Sequence, residues 1–409
     1  MRRIVITGMG IWSSIGQDMQ TVTESLRLGR SGIIYDQSRV DYGYQSGLVG
    51  NVPKPDLKPF LSRQERMMMS NDAEYAYMST RQAFEQAGID KDYLYHHDVG
   101  IIWGCEGNSH QQEYIRRMEE THCTALVGSN ALIRTVSSSV VMNLATIFHL
   151  QGINMSVSTA CASASHAICT AFMHISQGME DMILVGGSGS AAKEETIGMV
   201  IDALCKDDCY NSTPTAGSRP FDEGAVGEIL SGGAAALVLE DYEHAVARGA
   251  TIFAEIKTFA VASGHASDIY VGDWTAGKKA IKKALKNANM YPGDIDFVRT
   301  YASSDKHVDW IEAKSLSNVF SGLDTAICAT ESITGHEGAM SGASGIIYTV
   351  LMMKNGFIAP HINLANPILE AQQLNIPRVT QSRDIKTALI TSAGLGGNYI
   401  AIIISNVEK

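Results

Sequence analysis

A cysteine in a run of small residues is the first place in this chain where chemistry could sit. Ser156-Val157-Ser158-Thr159-Ala160-Cys161-Ala162-Ser163-Ala164-Ser165-His166-Ala167 reads as the end of a strand, a tight turn, and an Ala- and Ser-rich helix opened by Cys161. A helix N-terminus carries unpaired N–H groups and a partial positive charge. Both favour a thiolate, which makes Cys161 a candidate activated nucleophile. A buried structural cysteine is the other reading of the same residues. His336, in Thr334-Gly335-His336, is a second candidate. A neutral imidazole can donate a hydrogen bond to an oxygen that gains charge during a reaction. A lone histidine is commonly a satisfied structural residue, so its role depends on its surroundings.

Such residues need a scaffold, and the hydrophobic pattern supplies one. Short β-rich apolar runs fall at 3–6, 99–103, 154–157, 182–185, 234–239, 252–258, 297–301, 387–392 and 400–405. Helical patterns cover roughly 63–87, 162–178, 274–288, 309–320 and 342–355. Strands alternating with helices predict an α/β protein with parallel or mixed sheets. Runs such as Ala234-Ala235-Ala236-Leu237-Val238-Leu239 suit strands covered on both faces. A composition break near 240–252 divides the chain into two α/β halves. Residues 1–250 carry the cysteine, and 251–409 carry His336 and a late Gly-Gly loop. No strong sequence repeat links them.

Composition narrows the function classes. The chain has 409 residues, 45% hydrophobic and 18% charged, which predicts a sizeable core. A net charge of -11 argues against nucleic acid or an anionic membrane surface as the main partner. Arg116 and Arg117, or Lys278, Lys279, Lys282 and Lys283, read as solvated helix faces. Seven scattered cysteines form no disulfide framework, and the Cys205–Cys209 spacing lacks the second pair of a zinc site. No metal site is expected. Without a cleavage-site pattern or an apolar run of about 18 residues, neither a signal peptide nor a membrane span is expected, and the cytoplasm is the default location.

Five motifs, in order, resemble the elongating β-ketoacyl-acyl-carrier-protein synthases. Besides the cysteine segment, they are Val5-Ile6-Thr7-Gly8-Met9-Gly10, Ser218-Arg219-Pro220-Phe221-Asp222, the stretch from Glu240 to Ala247-Arg248-Gly249, Thr334-Gly335-His336 and Gly394-Leu395-Gly396-Gly397. The resemblance covers almost the whole chain. It implies the thiolase fold, with two similar α/β halves in a five-layered αβαβα arrangement, and a dimer across the edge strand beside the nucleophile. It also implies the family reaction. An acyl chain passes from carrier-protein phosphopantetheine to the cysteine, and a decarboxylated malonyl unit then attacks the thioester. No other cofactor is implied. Cys161 is the implied nucleophile, and the backbone N–H groups of Cys161 and Leu395 the implied oxyanion hole. His336 is one of two implied histidines.

Other implied positions are altered. Aligned backward from Asp309 and Glu312-Ala313, the second histidine's motif becomes Arg299-Thr300-Tyr301-Ala302-Ser303-Ser304-Asp305-Lys306. Tyr301 replaces the histidine; a phenol still donates one hydrogen bond, but its pKa near 10 suits a different proton balance. His307 could reach the site only if the loop reversed. Glu331 stands where the family has a lysine, and Gly345 where that lysine's glutamate partner belongs. The charge pair therefore reads as jointly lost, with Glu331 adding negative charge that disfavours a thiolate and an enolate. Ala225-Val226 replaces the central motif's Arg-Asp, and Leu395 and Ala393 replace two phenylalanines.

The broken set resembles the chain-length factors of type II polyketide systems, including aryl polyene pathways. These are impaired sister subunits that shape the tunnel beside an active ketosynthase. The alternative is an active 3-oxoacyl-acyl-carrier-protein synthase performing decarboxylative condensation through Cys161, His336 and Tyr301. Acyl transfer without condensation is a third reading. The implied partners are an acyl carrier protein and either an active ketosynthase subunit or a second copy of this chain.

Overall fold

The computed structural model describes residues 2–106, 110–204, 208–264 and 272–407. Ten strands form its main sheet. In chain order they are β1 Ile4–Ser13, β2 Gly100–Gly104, β3 Asn154–Val157, β4 Met182–Gly189, β5 Gly233–Asp241, β6 Ala254–Ser263, β7 Phe297–Arg299, β8 Ala326–Cys328, β9 Thr387–Gly394 and β10 Asn398–Ser405. Every predicted run overlaps one of them, with bounds that differ by up to a few residues; the short Ala326–Cys328 strand carried too little pattern to be read. Their spatial order is β8-β7-β9-β10-β6-β1-β5-β4-β2-β3.

That order exposes the duplication the sequence hid. Within each set of five, the second strand pairs parallel with the third and fourth. The fifth pairs antiparallel with the fourth and first. The two sets meet where Ile4, Val5 and Ile6 of β1 pair with Ile256, Glu255 and Ala254 of β6. Topology thus repeats although sequence does not.

Six helices cover the sheet: α1 Asn71–Ala87, α2 Ser139–Phe148, α3 Ser163–Ser176, α4 Trp274–Ala288, α5 Lys306–Phe320 and α6 Ser341–Asn355. Side chains alternate faces along a strand. Ile183 and Val185 point into a central core shared with Ile168 of α3 and Ile346 of α6. Met182 and Leu184 point into an outer core with Phe84 of α1 and Leu144 of α2. In the second set, Ile390 and Ile402 face the central core. Leu389 and Ile403 face Ile281 of α4 and Leu316 of α5. The result is five layers, α-β-α-β-α, with α3 and α6 in the middle. Each fully buried aliphatic side chain contributes about 1.5–3 kcal/mol.

The helix read over 63–87 is two helices, Arg63–Met68 and Asn71–Ala87. Ser70 interrupts it: its side chain accepts from the Ala73 N–H and caps the second helix. On α4, Lys279, Lys282 and Lys283 are exposed while Ala280, Ile281, Ala284 and Leu285 are buried, an ordinary solvated face. Cys205 lies outside the described residues, and Cys209 is exposed. Among the described residues, no helix is long and apolar enough to cross a membrane, and no His/Cys/Asp/Glu cluster could hold a metal.

Candidate active site

Cys161 stands between β3 and α3. The helix opens at Ser163, two residues later than the sequence suggested, and Cys161 belongs to the turn that precedes it. Ala160 adopts a left-handed φ of 51°, a strained conformation for a residue with a Cβ. Ser163 braces the turn by accepting from the Thr159 N–H at 3.0 Å. Small residues let the central helices approach closely: a Cβ on Gly342 of α6 would lie 2.7 Å from the Ser165 backbone nitrogen.

Two side chains converge on the sulfur. His336 Nε2 lies 3.1 Å from Cys161 Sγ. Its loop is held by backbone bonds, the His336 N–H donating to Ile229 at 2.8 Å and the Ser231 N–H to His336 at 2.7 Å. Tyr301 lines the same pocket as Cys161, and its phenol is close enough to act on the sulfur. The phenol and imidazole rings meet edge to face, 5.7 Å apart. The Tyr301 backbone N–H donates to Thr391 Oγ1 and Glu312 Oε1, which places it from β9 and α5. His307 is exposed and stacks on Trp310, so it does not reach the sulfur.

Two carboxylates beside the sulfur escaped the sequence reading. Glu106 lines a cavity with Cys161, and its charge acts on the sulfur. Glu228 lines the same pocket as Cys161 and Tyr301, and Ser303 Oγ donates to its Oε1 at 2.5 Å. Burial pushes the Cys161 thiol well above its ordinary value, and the negative fields of Glu106 and Glu228 push it further. Burial likewise raises Tyr301, so its phenol stays a donor. Held protonated, the thiol sulfur can still accept from the His336 imidazole. Iodoacetamide should therefore label Cys161 slowly at neutral pH, and Glu106→Gln should speed labelling as read by mass spectrometry. An unchanged rate would clear Glu106 of holding that proton.

Glu331 does not act as the sequence reading held. Its carboxylate is fully buried and paired with Arg299 at 2.6 Å, and Arg299 Nε donates to Thr330 Oγ1 at 3.1 Å. The charge pair is rebuilt with reversed polarity, not lost. Gly345 makes the room: a Cβ there would stand 2.9 Å from Arg299 Nε. The negative charge facing the sulfur comes from Glu106 and Glu228.

Cys161 opens onto two cavities. Tyr301, Glu228, Ala393 and Ala276 line the first. Asp72, Glu106, Glu195 and Ser231 line the second, of about 540 Å³. Leu395, half exposed, borders both. Its loop lies against the nucleophile turn, since a Cβ on Gly394 would come within 2.6 Å of the Thr159 carbonyl. Leu395 and Cys161 thus line the same two cavities. Ala225 is buried in place of the charge the resemblance implied.

Glu337, beside His336, accepts from Tyr348 and Ser344 at 2.6 Å each. Burial lifts its carboxyl from 4.5 to about 7. The folded chain keeps a proton there that the unfolded chain releases, so stability from this group is present below pH 4.5 and lost as pH rises through about 7. Glu337→Gln should shrink the loss of thermal stability between pH 5 and 8.

Comparison with known proteins gives the family. Residues 1–245 match the family model "Beta-ketoacyl synthase, N-terminal domain", and 253–365 match "Beta-ketoacyl synthase, C-terminal domain". The chain belongs to the beta-ketoacyl synthase family. It is 34% identical to 3-oxoacyl-[acyl-carrier-protein] synthase 1 of Escherichia coli over 412 residues, covering all of both chains. It is 27% identical to 3-oxoacyl-[acyl-carrier-protein] synthase 2 of Vibrio harveyi, covering 100% of this chain and 99% of that one. A solved beta-ketoacyl synthase from Burkholderia phymatum superposes over both full chains with a TM-score of 0.92 at 27% identity. The ishigamide ketosynthase/chain length factor structure shares the fold, with a TM-score of 0.91 at 24% identity over both chains. The thiolase-type architecture follows from these family matches.

Proposed function

We propose that this chain is a 3-oxoacyl-acyl-carrier-protein synthase that condenses through Cys161, Tyr301 and His336. One observation carries the reading: His336 Nε2 lies 3.1 Å from the Cys161 sulfur, and the Tyr301 ring packs edge to face on that imidazole in the pocket that Cys161 lines. The full-length likeness to a curated synthase supports it, and so does the Arg299–Glu331 pair, which removes the excess charge that spoke against it.

As the acyl chain transfers from carrier-protein pantetheine to sulfur, the thiol's proton moves by way of Glu106 to the departing sulfur, and pantetheine leaves as its thiol. A malonyl thioester then takes the first cavity with its carbonyl oxygen between Tyr301 and His336. As the bond to the carboxylate breaks and CO2 leaves, these two donors hold the enolate oxygen. The carbanion attacks the acyl carbon, the Cys161 and Leu395 N–H groups hold the tetrahedral oxyanion, and the cysteine sulfur departs. No group beyond phosphopantetheine takes part. The partners are an acyl carrier protein and a second copy of this chain.

The test is product formation by the purified chain from acyl- and malonyl-carrier protein. Turnover that vanishes in Cys161→Ala supports the reading. A second reading, a chain-length-factor partner in polyketide elongation, is favoured by the carboxylates that hold Cys161 as a thiol. Product formed only when a ketosynthase subunit is added, and retained when that mixture contains Cys161→Ala, would establish it and overturn the first.

A further inference from the structure

The second cavity has an unusual lining for a chamber next to an acyl-accepting sulfur. Asp72 is 7% exposed, and its Oδ1 has no hydrogen-bond partner among the described residues. Ser231, 1% exposed, leaves its Oγ in the same state. Glu106 Oε1 is a third buried oxygen with no partner. All three residues line this one cavity with Cys161, and Glu195, 8% exposed, lines it too. Unpaired buried acceptors cost free energy unless a ligand meets them. No metal suits the group, since these side chains do not form a coordination cluster. A hydrocarbon chain would leave every one of these oxygens unmet.

We infer that this cavity selects an acyl group whose far end carries a protonated amine, with Asp72 and Glu106 as the specificity-determining residues. Sulfur and carboxyls share the chamber, so a chain bonded to Cys161 can extend to them. An ammonium group has three donors and no acceptor, matching a wall of acceptors. Burial and the fields of Glu195 and Glu106 hold the Asp72 carboxyl well above its usual range when the chamber is apo. An incoming cation reverses that balance by pairing with the ionised form. This inference rests on the acylation of Cys161 proposed above.

Two probes of equal length separate the ideas: 6-aminohexanoyl- and heptanoyl-pantetheine. Their amide analogues, with NH replacing the thioester sulfur, bind without reacting. The protein should bind the amino analogue at least about tenfold more tightly. Asp72→Asn should erase most of that preference while leaving heptanoyl binding unchanged, and Glu106→Gln should weaken the preference independently. Equal binding, a heptanoyl preference, or a preference indifferent to both substitutions would overturn the inference. The thioesters then report on Cys161 by intact mass. An amino preference in binding with no acylation by either thioester would sink the proposed function and leave the chamber's selectivity standing.

Discussion

Tyr301→Phe is expected to cut 3-oxoacyl product formation by about 10²-fold or more, the usual effect of losing one donor to an oxyanion. The substitution removes one hydroxyl and little else. The backbone N–H that positions residue 301 keeps its bonds to Thr391 and Glu312, and the ring keeps its edge-to-face contact with His336. Acylation of Cys161 should change much less, because its oxyanion donors are backbone N–H groups of Cys161 and Leu395. The informative readout is therefore the split between acylation, followed by intact mass, and condensation, followed by product. Equal losses in both would mean that the phenol acts on the sulfur alone. Tyr301→His should condense faster than Tyr301→Phe, since an imidazole restores a donor at the same place. A histidine variant no better than phenylalanine would remove Tyr301 from enolate stabilisation.

The sequence made the strands and the nucleophile turn legible because both are local. Alternating apolar runs mark the strands, and small residues around Cys161 mark the close approach of α3 to α6. The break at Ser70 was also written locally, as a serine three residues before the Ala73 amide it caps, but the apolar periodicity on both sides masked it. The electrostatics were not local. Glu331 finds Arg299 across 32 positions of chain, and no periodicity reports that. Gly345 looked like a lost carboxylate when its role is to leave space for a guanidinium. Glu228 did leave a trace: it is a lone acid in a stretch of glycine and apolar residues, Gly224-Ala225-Val226-Gly227-Glu228-Ile229-Leu230, whereas the polar run Gly107-Asn108-Ser109-His110 after Glu106 hid that one. An acid in an apolar stretch faces inward for want of any polar face to carry it outward.

Breaking the Arg299–Glu331 pair should destabilise the protein by about 3–5 kcal/mol, because either partner alone is an uncompensated buried charge. The two halves of the pair should fail differently with pH. A guanidinium cannot shed its proton, so Glu331→Gln leaves a fixed buried cation and a cost that stays flat from pH 5 to 8. A carboxylate can take one up. Burial already raises the Glu331 carboxyl, and Arg299 is the strongest charge opposing that rise. In Arg299→Met the folded carboxyl therefore rises further above its unfolded value. That variant's deficit should be small near pH 5 and grow toward pH 8. The double variant Arg299→Met with Glu331→Leu should recover most of the loss, since a buried pair replaced by apolar side chains is often neutral. Urea unfolding at both pH values decides the matter, and additive costs in the double variant would refute the pairing. The consequence for activity follows from placement. Arg299 ends β7 two residues before Tyr301, and Glu331 opens the turn that leads through Gly335 to His336. The pair ties together the two segments that carry the donors, so the single variants should lose condensation along with stability while the double variant keeps a measurable rate.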